Sequence, residues 1–338
     1  MDDFPQGLSS FGVPVFGGLP PILGTWYFVN PNTTYNSSSN PYQGSSSNDG
    51  LTRATPLDNL STAYGKCVSG RGDGICLMSQ GTSAANTTSA LTTAITWSKH
   101  NITVYGVCAP TYQFQRARVS NLSTSTSLAN LMTISGSNNR FFNMMFINEG
   151  SNAAALGGIA VTGARNYFNN VHFAGTVDST PAVLTGTYSL SLSGAEENTF
   201  DGCVFGSDTV DMDGSQADTG IIKIASLTGR ALFRNCIMQS YWSYANSTCG
   251  IVHMIGGDCI MRHVIFDGCI MMNYKTGLLA TNDPASAFVG TAPNNGAFLL
   301  KNCALLGYTS WDSATGNDRV YCSMPVVTAA GGIAVVTT

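Results

Sequence analysis

The sequence predicts an all-β protein and, within that class, a right-handed single-stranded parallel β-helix. The first observation is a six-residue template that recurs at steps of 27, 32, 33, 33 and 34 residues. It reads large apolar, variable, Asn or Gly, small apolar or Cys, variable, large apolar. The copies are Phe141–Phe146, Phe168–Phe173, Phe200–Phe205, Phe233–Met238, Phe266–Met271 and Leu300–Leu305. A second series of short apolar segments, beginning with the one that ends at Ile134, recurs at steps of 27, 31, 32 and 30 residues.

The third template position predicts the geometry of the repeat. It is always Asn or Gly, the residues that most readily adopt a positive φ. Its occupants are Asn143, Asn170, Gly202, Asn235, Gly268 and Asn302. A strand, a one-residue left-handed bend and a second strand, repeated about every 30 residues, indicate stacked coils, whereas a propeller blade needs about 40 residues or more. We expect the asparagines Asn143, Asn170, Asn235 and Asn302 to form a ladder along the stack.

Composition limits the function. Charged residues make up 10% of the chain and the formal net charge is −4, so nothing predicts a nucleic-acid partner. Hydrophobic residues make up 43%, which argues against disorder, and no run approaches the ~20 apolar residues of a membrane span. The start, Met1-Asp2-Asp3, lacks a basic region, and four prolines interrupt the apolar stretch that follows; we therefore expect no secretion signal.

Residues 1–24 predict an extended arm. Prolines and glycines interrupt its apolar residues, so neither a regular helix nor a good strand fits. The apolar residues expected to anchor it are Phe4, Leu8, Phe11, Val13, Phe16, Leu19, Ile22 and Leu23. Such a segment gains order by lying along a partner; the alternative is an arm folded back over the first coil of its own chain.

Residues 25–100 predict an N-terminal cap with short helices. Thr55 is a candidate N-cap and Pro56 a candidate first helical residue, with the helix continuing to Tyr64. A weaker helical pattern covers 88–99, and Val104 is expected to begin the first coils. The coils then occupy 101–308, and residues 309–338 form a C-terminal cap or strands.

Four cysteines share the fourth template position: Cys203, Cys236, Cys269 and Cys303. The same position holds Met144 and Val171 in earlier coils, so these cysteines are interpreted as small apolar core residues with free thiols. Zinc is disfavoured because paired CxxC motifs and associated histidines are lacking. The pairing state of the other six cysteines cannot be decided, and we expect no metal and no cofactor.

The fifth template position suggests a covered outer face. Its residues are Met145, His172, Val204, Ile237, Ile270 and Ala304, of which five are apolar. A strand that is apolar on both sides is normally covered on both sides. We expect a homotrimer with Met145, Val204, Ile237, Ile270 and Ala304 against the threefold axis; coverage by a loop of the same chain is the alternative.

The candidate catalytic groups are weak, and we expect no catalytic residue. Asp208, Asp211, Asp213 and Asp218 lie in one predicted loop without the downstream Glu of an EF-hand. Glu196 and Glu197 are adjacent in a turn, where side chains usually diverge. The segment 241–244, Tyr-Trp-Ser-Tyr, fits sugar stacking or interface packing. Arg71-Gly72-Asp73 matches a cell-attachment tripeptide, interpreted as coincidence.

The N-terminal third carries a family resemblance. Trp26-Tyr-Phe-Val-Asn-Pro31, then Asn48-Asp-Gly-Leu-Thr52, Thr55-Pro56-Leu57 and Gly72-Asp-Gly-Ile-Cys-Leu77 resemble the opening of pectate-lyase-like β-helix proteins. With the repeats, the resemblance covers roughly residues 25–308. Compact, cysteine-containing versions resemble structural proteins of tailed phages, such as capsid decorations, head fibres and spikes.

This resemblance implies a non-enzymatic virion protein, made in the bacterial cytoplasm and anchored through residues 1–24 to the major capsid protein or another virion protein. The alternative is a tailspike or receptor-binding protein that recognises, and in some cases cleaves, a host-surface glycan through Asp208, Asp211 or Asp213. A cellular carbohydrate-active enzyme or adhesin is a third reading. Neither nucleic acid nor membrane is an expected partner.

Overall fold

The computed structural model describes residues 9–10, 13–14, 22–78, 88–212, 218–242, 249–274, 286–308, 310–312, 319–322 and 336–337. The described chain is almost entirely β, with two short helices, α1 (Leu60–Lys66) and α2 (Ser179–Ala182). No described helix has the length and apolarity to cross a bilayer.

The strands follow one another around a solenoid. The first are β1 (Ser9–Ser10), β2 (Val13–Pro14), β3 (Trp26–Val29), β4 (Gly74–Met78), β5 (Thr88–Leu91), β6 (Ile95–Trp97), β7 (Thr103–Val107), β8 (Arg118–Asn121) and β9 (Met132–Ile134). The middle coils contain β10 (Arg140–Asn148), β11 (Gly157–Val161), β12 (Tyr167–Thr176), β13 (Tyr188–Ser193), β14 (Thr199–Asp201), β15 (Val204–Phe205), β16 (Thr219–Ala225), β17 (Ala231–Arg234) and β18 (Ile237–Ser240). The last are β19 (Cys249–Ile255), β20 (His263–Asp267), β21 (Ile270–Asn273), β22 (Ser286–Gly290), β23 (Ala297–Lys301), β24 (Ala304–Leu306), β25 (Ser310–Asp312), β26 (Val320–Cys322) and β27 (Val336–Thr337).

Each coil contributes one strand to each of three parallel sheets. Sheet 1 consists of β6, β9, β11, β13, β16, β19, β22 and β25. Sheet 2 follows the first template strand, as in the pairs β14–β17, β17–β20 and β20–β23. Sheet 3 follows the second template strand, as in β15–β18, β18–β21 and β21–β24. The long strands β10 and β12 run through the bend and belong to both. The predicted fold class, a parallel β-helix, is confirmed.

The core is a set of side-chain columns along the axis. Phe141, Phe168, Phe200, Phe233 and Phe266 are fully buried and stacked face to face, with centroid separations of 5.1, 4.8, 4.7 and 4.8 Å. In-register pairing of parallel strands places the same template position one coil spacing apart, about 4.8 Å, which is the separation at which rings stack. The recurrence of Phe at the first template position therefore produces the column of stacked rings.

The cap differs from the sequence-based expectation at its helix. Helix α1 begins at Leu60, and Asn59 is its N-cap, whose side chain accepts the N–H of Thr62. Thr55 instead donates its hydroxyl to Asp49 at 2.7 Å. The prediction of a helix that begins at Pro56 was wrong because Asn59, an equally good capping residue, lies closer to the buried run of Leu60 and Ala63.

The coils begin earlier than predicted. Residues 88–91 and 95–97 are the strands β5 and β6, not a weak helix, because Ile95 and Trp97 both face inward with the period of two that a strand requires. β3 already pairs in parallel with β4, and β4 with β7. The stack therefore starts within the segment assigned to the cap, well before Val104.

The coils also end later than residue 308. β25 pairs in parallel with β22, and β26 with β23, so both extend the stack. β27 then pairs antiparallel with β26. An antiparallel strand occupies the edge on which another parallel coil would otherwise form, which protects that edge from association.

Candidate functional site

Residues 22–24, the end of the predicted arm, lie beside the first coil of the stack. The N–H of Gly24 donates to the carbonyl of Gly72 at 3.0 Å, while Ile22 is half-buried and the Leu23 side chain is 97% exposed. Earlier in the arm, β1 and β2, which contains Val13, pair antiparallel. Phe4, Leu8, Phe11, Phe16 and Leu19 lie outside the described residues.

The tripeptide Arg71-Gly72-Asp73 has a structural role beside this exit. Asp73 is fully buried and accepts the backbone N–H groups of Thr25 and Val68 at 2.9 and 2.7 Å. Arg71 adds a bidentate contact at 2.6 and 2.7 Å. Burial opposes ionisation, but the bonds from Arg71 and the two N–H groups outweigh it and lower the pKa of Asp73. The hydrogen bonds of the Asp73 carboxylate therefore stabilise the first turn.

All six bend positions have the predicted left-handed backbone, with φ between 50° and 66°. The predicted ladder of asparagine side chains includes fewer coils than the left-handed bend. Asn170 Nδ2 donates to Asn143 Oδ1 at 2.9 Å, and Asn143 donates to the carbonyl of Gly106. Asn235 and Asn302 each neighbour a glycine coil, and among the described residues the ladder bond is formed by Asn143 and Asn170 alone.

A second asparagine ladder, which the sequence analysis missed, runs along the other corner of the coil. Asn139, Asn166 and Asn198 are buried, and the N–H of Asn139 donates to Asn166 Oδ1, as that of Asn166 does to Asn198 Oδ1, each at 2.9 Å. Its sequence signal is Asn-x-Phe, with steps of 27 and 32 residues. These asparagines satisfy turn N–H groups that would otherwise be buried without partners.

The cysteine row points into the core. Cys203, Cys236, Cys269 and Cys303 are buried free thiols. Each donates its S–H to a backbone carbonyl of the preceding coil at 3.3 to 3.5 Å. Burial raises the pKa of Cys236 far above its ordinary value, so the row is chemically quiet. Among the described residues, no group of three or more His, Cys, Asp or Glu is placed to hold a metal ion.

Ion pairs connect successive coils on the outside. Arg234 contacts Asp201 at 2.6 Å, Lys301 contacts Asp267 at 3.1 Å, and these four residues form one in-register row. The hydrogen bond from Arg234 lowers the pKa of Asp201. Glu197, one of the two glutamates considered for catalysis, is held between Arg165 and Arg230 at 2.6 and 2.8 Å. The Glu197 carboxylate therefore forms ion pairs with side chains of the coils on either side.

The predicted outer strip is divided into two parts. Met145, His172 and Val204 are 0 to 2% exposed, whereas Ile237 and Ile270 are half-buried and Ala304 is exposed. The placement of Met145 and Val204 at a subunit interface was therefore wrong. The chain's own loop, residues 109–117 and here called the strap, crosses this part of sheet 3.

Hydrogen bonds to sheet 3 fix the strap. The N–H of Phe114 donates to His172 Nδ1 at 3.2 Å, Gln113 Nε2 donates to Gln239 Oε1 at 2.9 Å, and Gln115 Nε2 donates to the carbonyl of Asn170 at 3.1 Å. Phe114 also packs beside Met145. Because His172 and Gln239 lie two coils apart, the strap spans the coil of Val204 between them.

His172 is a buried neutral imidazole. Its Nδ1 accepts from Phe114, so Nε2 carries the proton and donates to the carbonyl of Gly206 at 2.8 Å. Burial, which Arg118 reinforces, lowers the pKa of His172 to about 4 despite the bond to Gly206. Neither ring nitrogen is available for acid–base chemistry.

Two further buried groups lie on the outer face of sheet 1. Lys223 Nζ donates to the carbonyl of Gly186 at 2.6 Å, and His253 Nε2 lies 3.7 Å from Asp218 Oδ1. Burial lowers the pKa of both side chains, and Asp218 acts in the opposite direction. In the segment 241–244, considered for sugar stacking, Trp242 is fully buried, and residues 243–244 lie outside the described residues. Asp213 lies outside the described residues.

Comparison with solved structures identifies the fold. A pectin methylesterase in complex with a hexasaccharide matches with a TM-score of 0.53 and 13% identity, over 88% of this chain and 87% of the other. A pectin methylesterase from Aspergillus niger matches with a TM-score of 0.52 and 12% identity, over 89% of each chain. The pectate lyase Pel9A matches with a TM-score of 0.50 and 15% identity over 82% of this chain. The chain spans 62% of the length of the lyase. These likenesses show the parallel β-helix fold alone.

A tailspike domain of bacteriophage CBA120 matches at a TM-score of 0.30 and 12% identity, over 71% of this chain and 39% of the other; this value is too low to support an argument. No protein-family profile matches the sequence, and no curated protein matches it.

Proposed function

We propose that this protein is a non-enzymatic structural protein of a tailed-bacteriophage virion, a capsid decoration or head fibre that is anchored through residues 1–24. The observation that carries the proposal is the end of the predicted arm at residues 22–24. Leu23 is 97% exposed at the N-terminal end of the stack, where Gly24 is already fixed to Gly72. A single exposed leucine is ordinary on a protein surface, but Leu23 ends the apolar series that begins at Phe4, and a partner that covers this series accounts for its composition.

The use of charge in the described coils supports a structural role. Asp73, Glu197, Asp201 and Asp267 each form an ion pair with Arg or Lys, so these carboxylates hold the chain together. The stacked rings, the buried thiols and both asparagine ladders run along the same axis. A fold reinforced from coil to coil suits a rigid projection from a particle surface.

Homotrimer formation is part of the proposal. The accessible remainder of the outer strip, Ile237, Ile270 and Ala304, would lie against the threefold axis. It spans three coils, or about 14 Å at about 4.8 Å per coil, and three side chains bury far less surface than the roughly 800 Å² per partner of a stable interface. We therefore expect a concentration-dependent trimer, which simultaneous anchoring of three arms would strengthen.

The test is attachment to particles. Purified chain is mixed with phage particles that lack it and then sedimented with them. Deletion of residues 2–21 should abolish co-sedimentation while the melting temperature is unchanged. A length-matched variant, with Phe4, Phe11 and Phe16 changed to Ser, should lose attachment as well. Full attachment of both variants would reject the anchoring role.

Binding of a host-surface glycan is a second candidate function. One observation favours it: two exposed tyrosines, Tyr112 in the strap and Tyr274 at the end of β21.

A further inference from the structure

The strap brings together a group of polar and aromatic side chains from distant parts of the sequence. This group, the tyrosine platform, consists of Tyr112, Gln113, Asp208, Gln239 and Tyr274. Gln113 Nε2 donates both to Tyr112 Oη and to Gln239 Oε1, each at 2.9 Å. Gln239 Nε2 in turn donates to the carbonyl of Gly206, two residues before Asp208.

Tyr274 joins the platform from the next coil. Its N–H donates to the carbonyl of Ser240 at 2.9 Å, which fixes its backbone beside Gln239. Besides burial, the neighbouring Tyr112 and Asp208 raise the pKa of Tyr274, in keeping with the convergence of the three side chains. The platform therefore unites the strap, the turn after β15 and the end of β21.

Both rings remain accessible. Tyr112 is 54% exposed and Tyr274 is 42% exposed. The apolar surface continues onto Met272, which is half-buried, and onto Leu306, which is 56% exposed and in register with it. Tyrosine rings with one apolar face and a polar tip are suited to partners that present both apolar and hydrogen-bonding groups.

The polar groups favour a hydroxyl-rich, uncharged ligand. Asp208 is half-buried, and its Oδ1 is enclosed without a hydrogen-bond partner. In the described part of the chain, no Lys or Arg forms an ion pair with Asp208. The enclosed Oδ1 lies out of reach of a ligand, so the partly exposed carboxylate accepts hydroxyl hydrogens through Oδ2, and its charge repels an anion.

We infer that the tyrosine platform binds a neutral pyranose unit of a polysaccharide. The C–H face of the sugar lies against the rings of Tyr112 and Tyr274, and Asp208 accepts hydrogen bonds from its hydroxyls. Because Gln113 already fixes Tyr112 to the sheet, little side-chain freedom is lost on binding. The inference is independent of anchoring through residues 1–24 and adds a recognition function to the structural role.

The test is direct binding to defined glycans. The full chain is titrated by calorimetry with the neutral polysaccharides dextran, mannan and galactan, and with the anionic alginate and polygalacturonate. Binding to at least one neutral glycan is expected. Tyr274→Ala and Tyr112→Ala should each weaken that binding about five- to tenfold, and Asp208→Asn should also weaken it. Tyr35→Ala is the matched control, since Tyr35 is 63% exposed elsewhere in the chain, and it should not change binding.

Melting temperatures of the variants separate lost binding from lost folding. Binding to none of the neutral glycans, binding to the anionic glycans alone, or equal binding by folded Tyr112 and Tyr274 variants would each overturn the inference. Attachment to particles is measured separately, so a failure here leaves the anchoring result untouched. A change of oligomeric state in Tyr274→Ala without any glycan binding would assign the platform to subunit contacts and likewise overturn the inference.

Discussion

Acidification should destabilise this protein between pH 6.5 and pH 4, and His172 should account for much of the loss. His172 has an ordinary pKa of 6.5 that burial lowers to about 4 in the folded chain. In that interval the unfolded state binds a proton that the folded state does not, so the free energy of unfolding falls as the pH falls. The stabilisation is complete above pH 6.5 and lost below pH 4. A difference of about 2.5 pKa units corresponds to about 3 kcal/mol.

Urea denaturation at half-unit steps from pH 7.5 to pH 4 measures this loss. The matched variant is His172→Gln, whose amide can accept from the N–H of Phe114 and donate to the carbonyl of Gly206 without titrating. The variant should lose about 3 kcal/mol less than the wild type over this range. His253, whose pKa burial also lowers, adds a loss in the same range, and Asp73 and Asp201, whose pKa values are lowered, add theirs at lower pH, but all three do so in both proteins. Identical pH profiles for the two proteins would refute the assignment of a buried, neutral His172.

Three further predictions concern single substitutions. Asn235→Val should cost about 1 to 2 kcal/mol because a β-branched residue is strained at φ 51°, whereas Asn235→Gly should be nearly neutral; equal melting temperatures would contradict the strained bend. Lys99→Met should destabilise by about 1 to 3 kcal/mol, measured by urea denaturation, because Lys99 Nζ donates to three carbonyls at the C-terminal end of α1; no change would show that water replaces it. Ile270→Asp should lower the mass found by light scattering at high concentration, whereas Leu227→Asp, at a more exposed site (48%), should not; the same mass for both would exclude the strip from assembly.

The repeated part of the fold could be predicted because each coil places the same residue types under the same constraint. Phe141, Phe168 and Phe200 recur because a ring stacks on the ring below, and Asn143 and Asn170 recur because the bend requires positive φ. Every copy of the template adds independent evidence for the same geometry. The length of each coil and the order of the coils follow from the steps between successive template copies.

The cap could not be predicted to the same degree, because it occurs once. Thr55 and Asn59 are both suitable N-cap residues, and the choice depends on the burial of Leu60 against the first coils, which is a tertiary effect. The strand β6 was mistaken for a helix because Ile95 and Trp97 fit either period over so short a segment.

The tyrosine platform was missed for a different reason. Tyr112, Asp208 and Tyr274 are far apart in the sequence and belong to no repeat. They meet because the strap crosses two coils, and the path of a loop is set by contacts such as that of Gln113 with Gln239. The prediction that the outer strip lies at a subunit interface was wrong for Met145 and Val204 for the same reason. An apolar pattern predicts that a face is covered, but it does not predict whether a loop of the same chain or a second subunit covers it.

The role proposed for this chain is that of a structural component of a phage particle. Quantitative mass spectrometry of purified particles, made from a phage genome that carries the gene, tests it most directly. The account predicts a fixed number of copies per particle that survives washing, and the loss of the protein from particles when codons 2–21 are deleted. Its absence from purified particles, with the protein found free in the lysate, would contradict the account.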